Sequence, residues 1–292
     1  MNSLIIYIQL FLTAVLVATS CTLPGTFLIL RGTSLISDAI SHAILLGIVL
    51  SFLIFQKFYI PLLFSGAICM GLITIACIEY LIQTKRLHPD AIIGVVFPCL
   101  FSIAVILINF YAQNIHLDID AVILGELAFT PFYQIYWRNL SIGSYAIWLM
   151  IFILLINITM TIIFYRKLIT STFDPDYASI IGYQPKLTFW ILMTTTCITI
   201  LGAFESAGTI LVIAFIIIPP STAFLITHRI THMIIISILI SILGSIIGSI
   251  FAHIMHISIA GSIATIQGVL FGTIALIQYL YKKNYLTFTM II

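Results

Sequence analysis

Apolar stretches of about 20 residues recur along the whole chain, separated by short polar clusters. The pattern predicts nine membrane-spanning helices, over about 4–30, 34–56, 58–82, 91–111, 143–165, 187–204, 208–227, 233–254 and 260–281. Only Glu205 to Gly208 divides the sixth span from the seventh, so eight spans are the alternative. A β-barrel does not fit, because barrel strands alternate over about 10 residues and give much weaker apolar runs. The expected fold is all-α: one polytopic transmembrane bundle over 1–292. Two connections are longer than turns. Residues 112–142 carry Gly125, Pro131 and a group of aromatics, and predict one or two short helices at the membrane interface. Residues 166–186 form the other.

Composition strengthens the membrane reading. The chain has 292 residues, 62% of them hydrophobic and 7% charged, against about 25% charged in a soluble domain. Mean hydropathy is +1.26. A net charge of +2 says little, but its distribution sets orientation. With the N-terminus outside, the inner loops hold Arg31, Lys85, Arg86, Arg166, Lys167, Lys186, Arg229, Lys282 and Lys283, and the outer loops hold Lys57 and Arg138. Nine basic residues inside against two outside favour N-out, C-in, and termini on opposite sides support an odd number of spans. MNSLIIYIQLFL has no basic residue before its apolar run, so it is expected to be a retained span rather than a cleaved signal. The five cysteines, Cys21, Cys69, Cys77, Cys99 and Cys197, show no paired spacing and are expected to be small buried hydrophobes. GSIIGSI places Gly244 and Gly248 on one helix face, where small residues let helices pack closely in lipid.

Against this background Asp38 and His42 stand out in SLISDAISHA. At i, i+4 they share one helix face, about 6 Å apart along the axis. A carboxylate and a neutral imidazole suit a divalent transition metal. An ionisable group in a span costs about 2.5–3.5 kcal/mol or more, and so points to a transport pathway. Two ligands do not close a coordination shell, so the others must come from other spans or a second copy. A purely structural Asp–His hydrogen bond is the alternative. Glu126 and Glu205, isolated near the outer side, are possible accessory metal groups or simply solvated loop carboxylates. His116, Asp118 and Asp120 form an acidic outer patch that could guide a cation. The pairs His228/His232 and His253/His256 are weaker candidates.

The inner connection carries a second signal, FDPDYASIIGYQP. Asp174 is expected as an N-cap, Pro175 as the first helical residue, and Asp176 as a complement to the helix dipole. Gly182 is expected to stop the helix. The result is a two-turn helix offering Tyr177, Ile180 and Ile181 to a soluble partner or to the membrane surface. Missing motifs narrow the function. There is no phosphate loop of the G-x-x-x-x-G-K-[ST] type, no H-E-x-x-H and no G-x-S-x-G.

Several segments together resemble the membrane permease of ABC-type manganese, zinc and iron importers. They are RGTSLISDAISHAILLGIVLSF, LHPDAIIGVVFPCLFSIAVILI, HLDIDAVILGELAF, FDPDYASIIG and FESAGTILVIAFIIIPPSTAFLIT, and they cover nearly the whole chain. The resemblance implies a type II ABC importer permease in a bacterial plasma (inner) membrane. It implies pairing with a second permease copy or a paralogue, two cytoplasmic ATPase subunits, and an extracytoplasmic metal-binding protein. The chain itself would not be an enzyme, would hold no permanent cofactor, and would have no nucleic-acid partner. Asp38 and His42, with their counterparts in the second copy, would coordinate the ion in transit. The loop of Phe173, Asp174, Pro175, Tyr177, Ile180, Ile181 and Gly182 would be the coupling helix that docks on the ATPase. One departure is Leu46, where many relatives carry Pro before the glycine, so the kink at that point is expected to be absent. HLDIDAVILGELAF and FESAGTILV look closer to the manganese or iron branch than to the zinc branch. Manganese is therefore the expected ion, with zinc or iron as the alternative. Two rivals come from other classes. A stand-alone secondary cation transporter would need a coupling-ion site and often shows inverted repeats. A structural assembly subunit would leave the cost of Asp38 and His42 unexplained.

Overall fold

The structure is a computed structural model that describes residues 3–56, 59–111, 127–137 and 140–289. Its helices are α1 (Ser3–Leu30), α2 (Ile36–Phe55), α3 (Ile60–Gln83), α4 (Pro89–Tyr111), α5 (Tyr145–Phe173), the short α6 (Pro175–Ile180), α7 (Pro185–Ala207), α8 (Thr209–Ile226), α9 (Ile230–Met255) and α10 (Ile259–Thr289). Among the described residues nine of these are long and apolar enough to cross a membrane. That resolves the eight-or-nine alternative. Gly208 alone separates α7 from α8. Its φ of +78° lets the chain reverse there, a conformation that side chains with a Cβ avoid.

α1 lies at the centre of one half of the bundle and packs on α5, α7, α8 and α9. Ala14, Val17, Ala18 and Cys21 are fully buried along its length, at the spacing that keeps one face toward neighbours. The contact with α8 follows from the two prolines in IIIPP. Pro219 has no N–H for the Phe215 carbonyl four residues back, and Thr22 Oγ1 of α1 approaches that oxygen at 3.4 Å. Pro220 likewise frees the Ile216 carbonyl, and Gly25 of α1 sits so close that a Cβ there would lie 3.0 Å from the Ile216 carbonyl carbon. Buried amides add cross-links, worth having where water is absent. Asn157 Nδ2 of α5 donates to Ser20 O of α1 (3.1 Å) and to Thr199 Oγ1 of α7 (2.8 Å). Gln267 of α10 donates to Ser241 O of α9 at 3.2 Å.

α2, α3 and α4 form the other half, joined to the first through α7. α2 runs unbroken through Leu46 and Gly47. Gly244 and Gly248 do face a neighbour: a Cβ on Gly248 would lie 2.5 Å from the Ile263 Cα of α10.

Four expectations are corrected. The described part of the outer connection has one short helix, a 3-10 helix (Leu127–Phe132), followed by a two-stranded hairpin, β1 (Gln134–Trp137) with β2 (Leu140–Ser144), where no strand was expected. Pro131 denies the segment a donor, and QIYW favours extended backbone. Thr130 O accepts from the Ser144 hydroxyl at 2.5 Å, and Tyr133 O accepts from the Tyr145 amide at 2.9 Å, fixing the hairpin to the start of α5. Second, α5 continues to Phe173, so Arg166 to Phe173 are helical rather than loop, because nothing before Asp174-Pro175 interrupts the pattern. Third, Cys69, Cys77 and Cys99 are exposed on the chain, and only Cys21 and Cys197 are buried. An apolar thiol needs no protein cover in lipid. Fourth, Glu205 belongs to the last turn of α7, not to a loop.

A candidate metal pathway and coupling loop

Asp38 lies in the first turn of α2 and His42 one turn on. Ser34 to Ile36 form the entry: Ile36 N–H donates to Thr33 O (3.1 Å) and Ser37 N–H to Ser34 O (3.1 Å). The neighbouring positions Ser37, Ala39, Ile40, Ser41 and Ala43 are buried, while Asp38 and His42 keep about a third (34%) and two-fifths (41%) of their side-chain surface open. The two therefore project from an otherwise enclosed helix toward an uncovered side of the chain.

His42 Nε2 and Asp38 Oδ1 are 3.5 Å apart. That is long for a hydrogen bond of this kind, which is typically about 2.7–3.2 Å. Two donor atoms on one ion, each about 2.0–2.2 Å from it, stand roughly 2.8–3.6 Å apart in tetrahedral or cis-octahedral geometry. The observed spacing falls in that range without adjustment of the helix. The imidazole is steered by α4. It stacks on Phe97 at 5.2 Å between ring centroids and 24° between planes, and meets the edge of Phe101 at 5.6 Å and 77°. These rings fix the imidazole plane, and neither was singled out in the sequence. Their signal was their i, i+4 spacing in VVFPCLFS, which an apolar helix makes unremarkable.

Among the described residues no group of three or more His, Cys, Asp and Glu is gathered closely enough to hold an ion. Glu205 is thus not brought to the Asp38–His42 pair. Glu126, together with His116, Asp118 and Asp120, lies outside the described residues. His228 precedes α9 and His232 lies in its first turn, so the pair does not share a continuous helix. His253 and His256 sit at the far end of α9, 6.4 Å apart between ring centroids, with Tyr7 of α1 edge-on to His253 at 4.6 Å. They line a cavity of about 410 Å³ between α1, α9 and α10.

The loop helix is built as its sequence dictates. Asp174 Oδ1 accepts from the Tyr177 amide at 2.9 Å, and Pro175 occupies the first helical position. At the other end Gly182 has φ +87°. Tyr183 N–H donates to Ala178 O (2.9 Å) and Gly182 N–H to Ser179 O (3.1 Å), the paired bonds that close a helix on a left-handed residue. α6 has six residues. Ala178 is buried against the bundle, while Phe173, Tyr177, Ile180 and Ile181 are exposed, Ile180 by 82%. Lys167 of α5 stands 5.9 Å from the Tyr183 ring and 5.5 Å from that of Phe164, holding the exit of the loop to α5.

Residues 4–278 match the ABC 3 transport family. The chain is 38% identical over 261 residues to the manganese transport system membrane protein MntD of Bacillus subtilis, covering 89% of this chain and 88% of that one. It is 39% identical over 275 residues to the zinc transport system membrane protein TroD of Treponema pallidum, covering 92% and 73%. The fold resembles PsaBC from Streptococcus pneumoniae, solved in complex with an Fab, with a TM-score of 0.73, 25% identity, and coverage of 94% of this chain and 91% of that chain. Nine apolar spans among the described residues, together with this kinship, make it a multi-pass protein of the bacterial plasma membrane. The chain belongs to the ABC 3 transport family.

Proposed function

We propose that this chain is the membrane permease of an ATP-driven importer of divalent transition metal ions, with manganese as the favoured cargo. It works beside a second permease copy or paralogue, cytoplasmic ATPase subunits that carry out the hydrolysis, and an extracytoplasmic metal-binding protein that delivers the ion. The observation that carries the reading is the open Asp38–His42 pair. It offers one oxygen and one nitrogen donor at ion-bridging distance, and the described part of the chain supplies no third acidic, histidine or cysteine ligand. A second chain presenting the same pair would bring the shell to four. The mixed donor set suits manganese, iron and zinc alike. Manganese is favoured by the likeness to MntD, and zinc stays the alternative through TroD.

The exposed apolar side of α6 fits the same scheme as the docking surface for an ATPase. Its apolar side chains Tyr177, Ile180 and Ile181 are presented on a rigid, doubly capped turn of helix. The test is ATP-dependent manganese uptake by the complex reconstituted in vesicles, comparing wild type with Asp38→Ala. Uptake should require ATP and should be lost in the variant, while the complex still assembles. Uptake that persists in Asp38→Ala would remove this residue from the pathway. Uptake that is independent of ATP would favour a secondary transporter.

A further inference from the structure

The α1–α2 junction contains a side chain that the proposed transport scheme has not used. Arg31 follows the last residue of α1. Its Nε donates to Thr172 Oγ1 at 3.0 Å and its Nη2 to Ser171 Oγ at 2.9 Å. Both hydroxyls belong to the last turn of α5, directly before the Asp174 cap of α6. Each hydroxyl hydrogen is already given to the Leu168 carbonyl, at 3.3 Å for Ser171 and 2.6 Å for Thr172. The oxygens therefore present lone pairs to the guanidinium, and the fork meets two adjacent acceptors at once. The negative end of the α5 dipole also favours a cation there. The guanidinium lies 5.7 Å over the Phe189 ring of α7. Burial pulls Arg31 below the usual arginine range and the Glu79 carboxylate opposes that pull. An arginine still stays charged in such a site.

On its other side Arg31 is joined to Asp38 by closed backbone turns. Gly32 has φ +68°. Gly32 N–H donates to Ile29 O and Thr33 N–H to Leu28 O, both at 3.0 Å, the same closing pair that ends α6. The bonds Ile36 to Thr33, Ser37 to Ser34 and Ala39 to Leu35, at 3.1, 3.1 and 3.2 Å, then lead into α2. Ser37 Oγ adds a further bond to Ser34 O at 2.7 Å. No residue between Arg31 and Asp38 lies outside this hydrogen-bonded series. On the α6 side, Asp174 N–H donates to Thr170 O and Ala178 N–H to Asp174 O, at 2.9 and 3.0 Å. The loop helix is thus fixed to the end of α5.

We propose that Arg31 is a positioning residue that couples the loop helix to the metal-binding turn of α2, its guanidinium fork on Ser171 and Thr172 making the end of α5 and the start of α2 move as one body. The proposal rests on the importer reading above. A displacement imposed on α6 then reaches Asp38 through α5, the Arg31 fork and the α1–α2 turn. Lysine cannot replace the fork, because an ammonium is a single point donor and does not span two acceptors in a fixed plane.

The test uses the complete complex in proteoliposomes, with manganese as the probe, and reads manganese transported per ATP hydrolysed. Arg31→Lys keeps the charge and breaks the fork. Ser171→Ala with Thr172→Val removes the acceptors and leaves Arg31 intact. In each variant ATPase binding and hydrolysis should remain while the transport-to-hydrolysis ratio falls roughly tenfold or more, the scale of one lost hydrogen bond to a charged group. Combining the two changes should add nothing further, because both break one link. A wild-type ratio in Arg31→Lys, or effects of the two changes that multiply, would overturn the proposal. If Arg31→Lys fails to assemble, the Ser171/Thr172 variant decides alone: a ratio held at wild type refutes the link. Failure of the importer reading looks different, because the wild-type complex would then show no ATP-driven manganese uptake at all.

Discussion

The exit of the loop helix gives a sharp prediction at Gly182. Its φ of +87° is a conformation that L side chains rarely adopt. A Cβ built there meets nothing within 4 Å, so the cost of substitution is backbone strain alone. That cost is about 1–2 kcal/mol for a residue held in a left-handed conformation, and higher for a β-branched side chain. Gly182→Val should therefore shift or fray the end of α6, losing the bonds from Gly182 and Tyr183 back to Ser179 and Ala178. At 1–2 kcal/mol the folded loop becomes roughly 5–30 times less favoured, and ATPase docking should weaken by about that factor if it needs the intact loop. The spans should stay folded, since the change touches none of their contacts. Gly182→Asn is the control, because asparagine visits the left-handed region readily, and it should stay near wild type. The assay is the amount of ATPase that co-purifies with each variant at a series of ATPase concentrations, followed by ATP-driven uptake. Unchanged docking and uptake in Gly182→Val would refute the coupling role of this loop.

Other outcomes follow from the same geometry. Asp174→Ala should remove the bond to the Tyr177 amide, cost about 0.5–2 kcal/mol of local stability, and impair ATP-driven uptake partly rather than fully. A tag reached only from the cytoplasm should be accessible after Lys283 and inaccessible at Asn2; the reverse pattern would overturn the N-out orientation. Gly248→Leu should push α9 and α10 apart, since even a Cβ there would lie 2.5 Å from the Ile263 Cα. A clear fall in thermal unfolding temperature in detergent is the expected reading, and none should be seen for Gly268→Leu, where a Cβ meets nothing within 4 Å.

The helices were legible because lipid demands runs of about 20 apolar residues and leaves little else to decide. Asp38 and His42 were legible because helix periodicity alone places i and i+4 together. The caps at Asp174 and Gly182 are local chemistry, and local chemistry survives folding. What escaped depended on partners distant in the chain. Phe97 and Phe101 steer His42 only because α4 happens to lie against α2. The Arg31 fork needs residues 140 and 141 positions away. Glu205 was misplaced because polar residues in a helix end resemble a loop until the i→i−4 bonds are seen. The hairpin escaped because its aromatics suit an interface in either conformation.

A site divided between two copies, as proposed, would also set how cargo is released. If each chain supplies one carboxylate and one imidazole, the ion's shell exists only while the two copies hold their α2 turns at the right separation. Coordination distances tolerate little: a shift of an ångström removes a ligand from an ion held at about 2.0–2.2 Å. A closed four-ligand site within one chain would have to be deformed internally to let go, against the packing of a dense core. A site divided between chains needs only relative movement of rigid bodies. In that scheme each α2 would travel with its own half of the bundle, since most of its other positions are buried and its entry turns are hydrogen-bonded. Weak ligation by each half would then be an advantage: neither chain alone would retain the ion once the halves part. The openness of Asp38 and His42 in the single chain, with no third acidic, histidine or cysteine ligand gathered near them among the described residues, fits such a division.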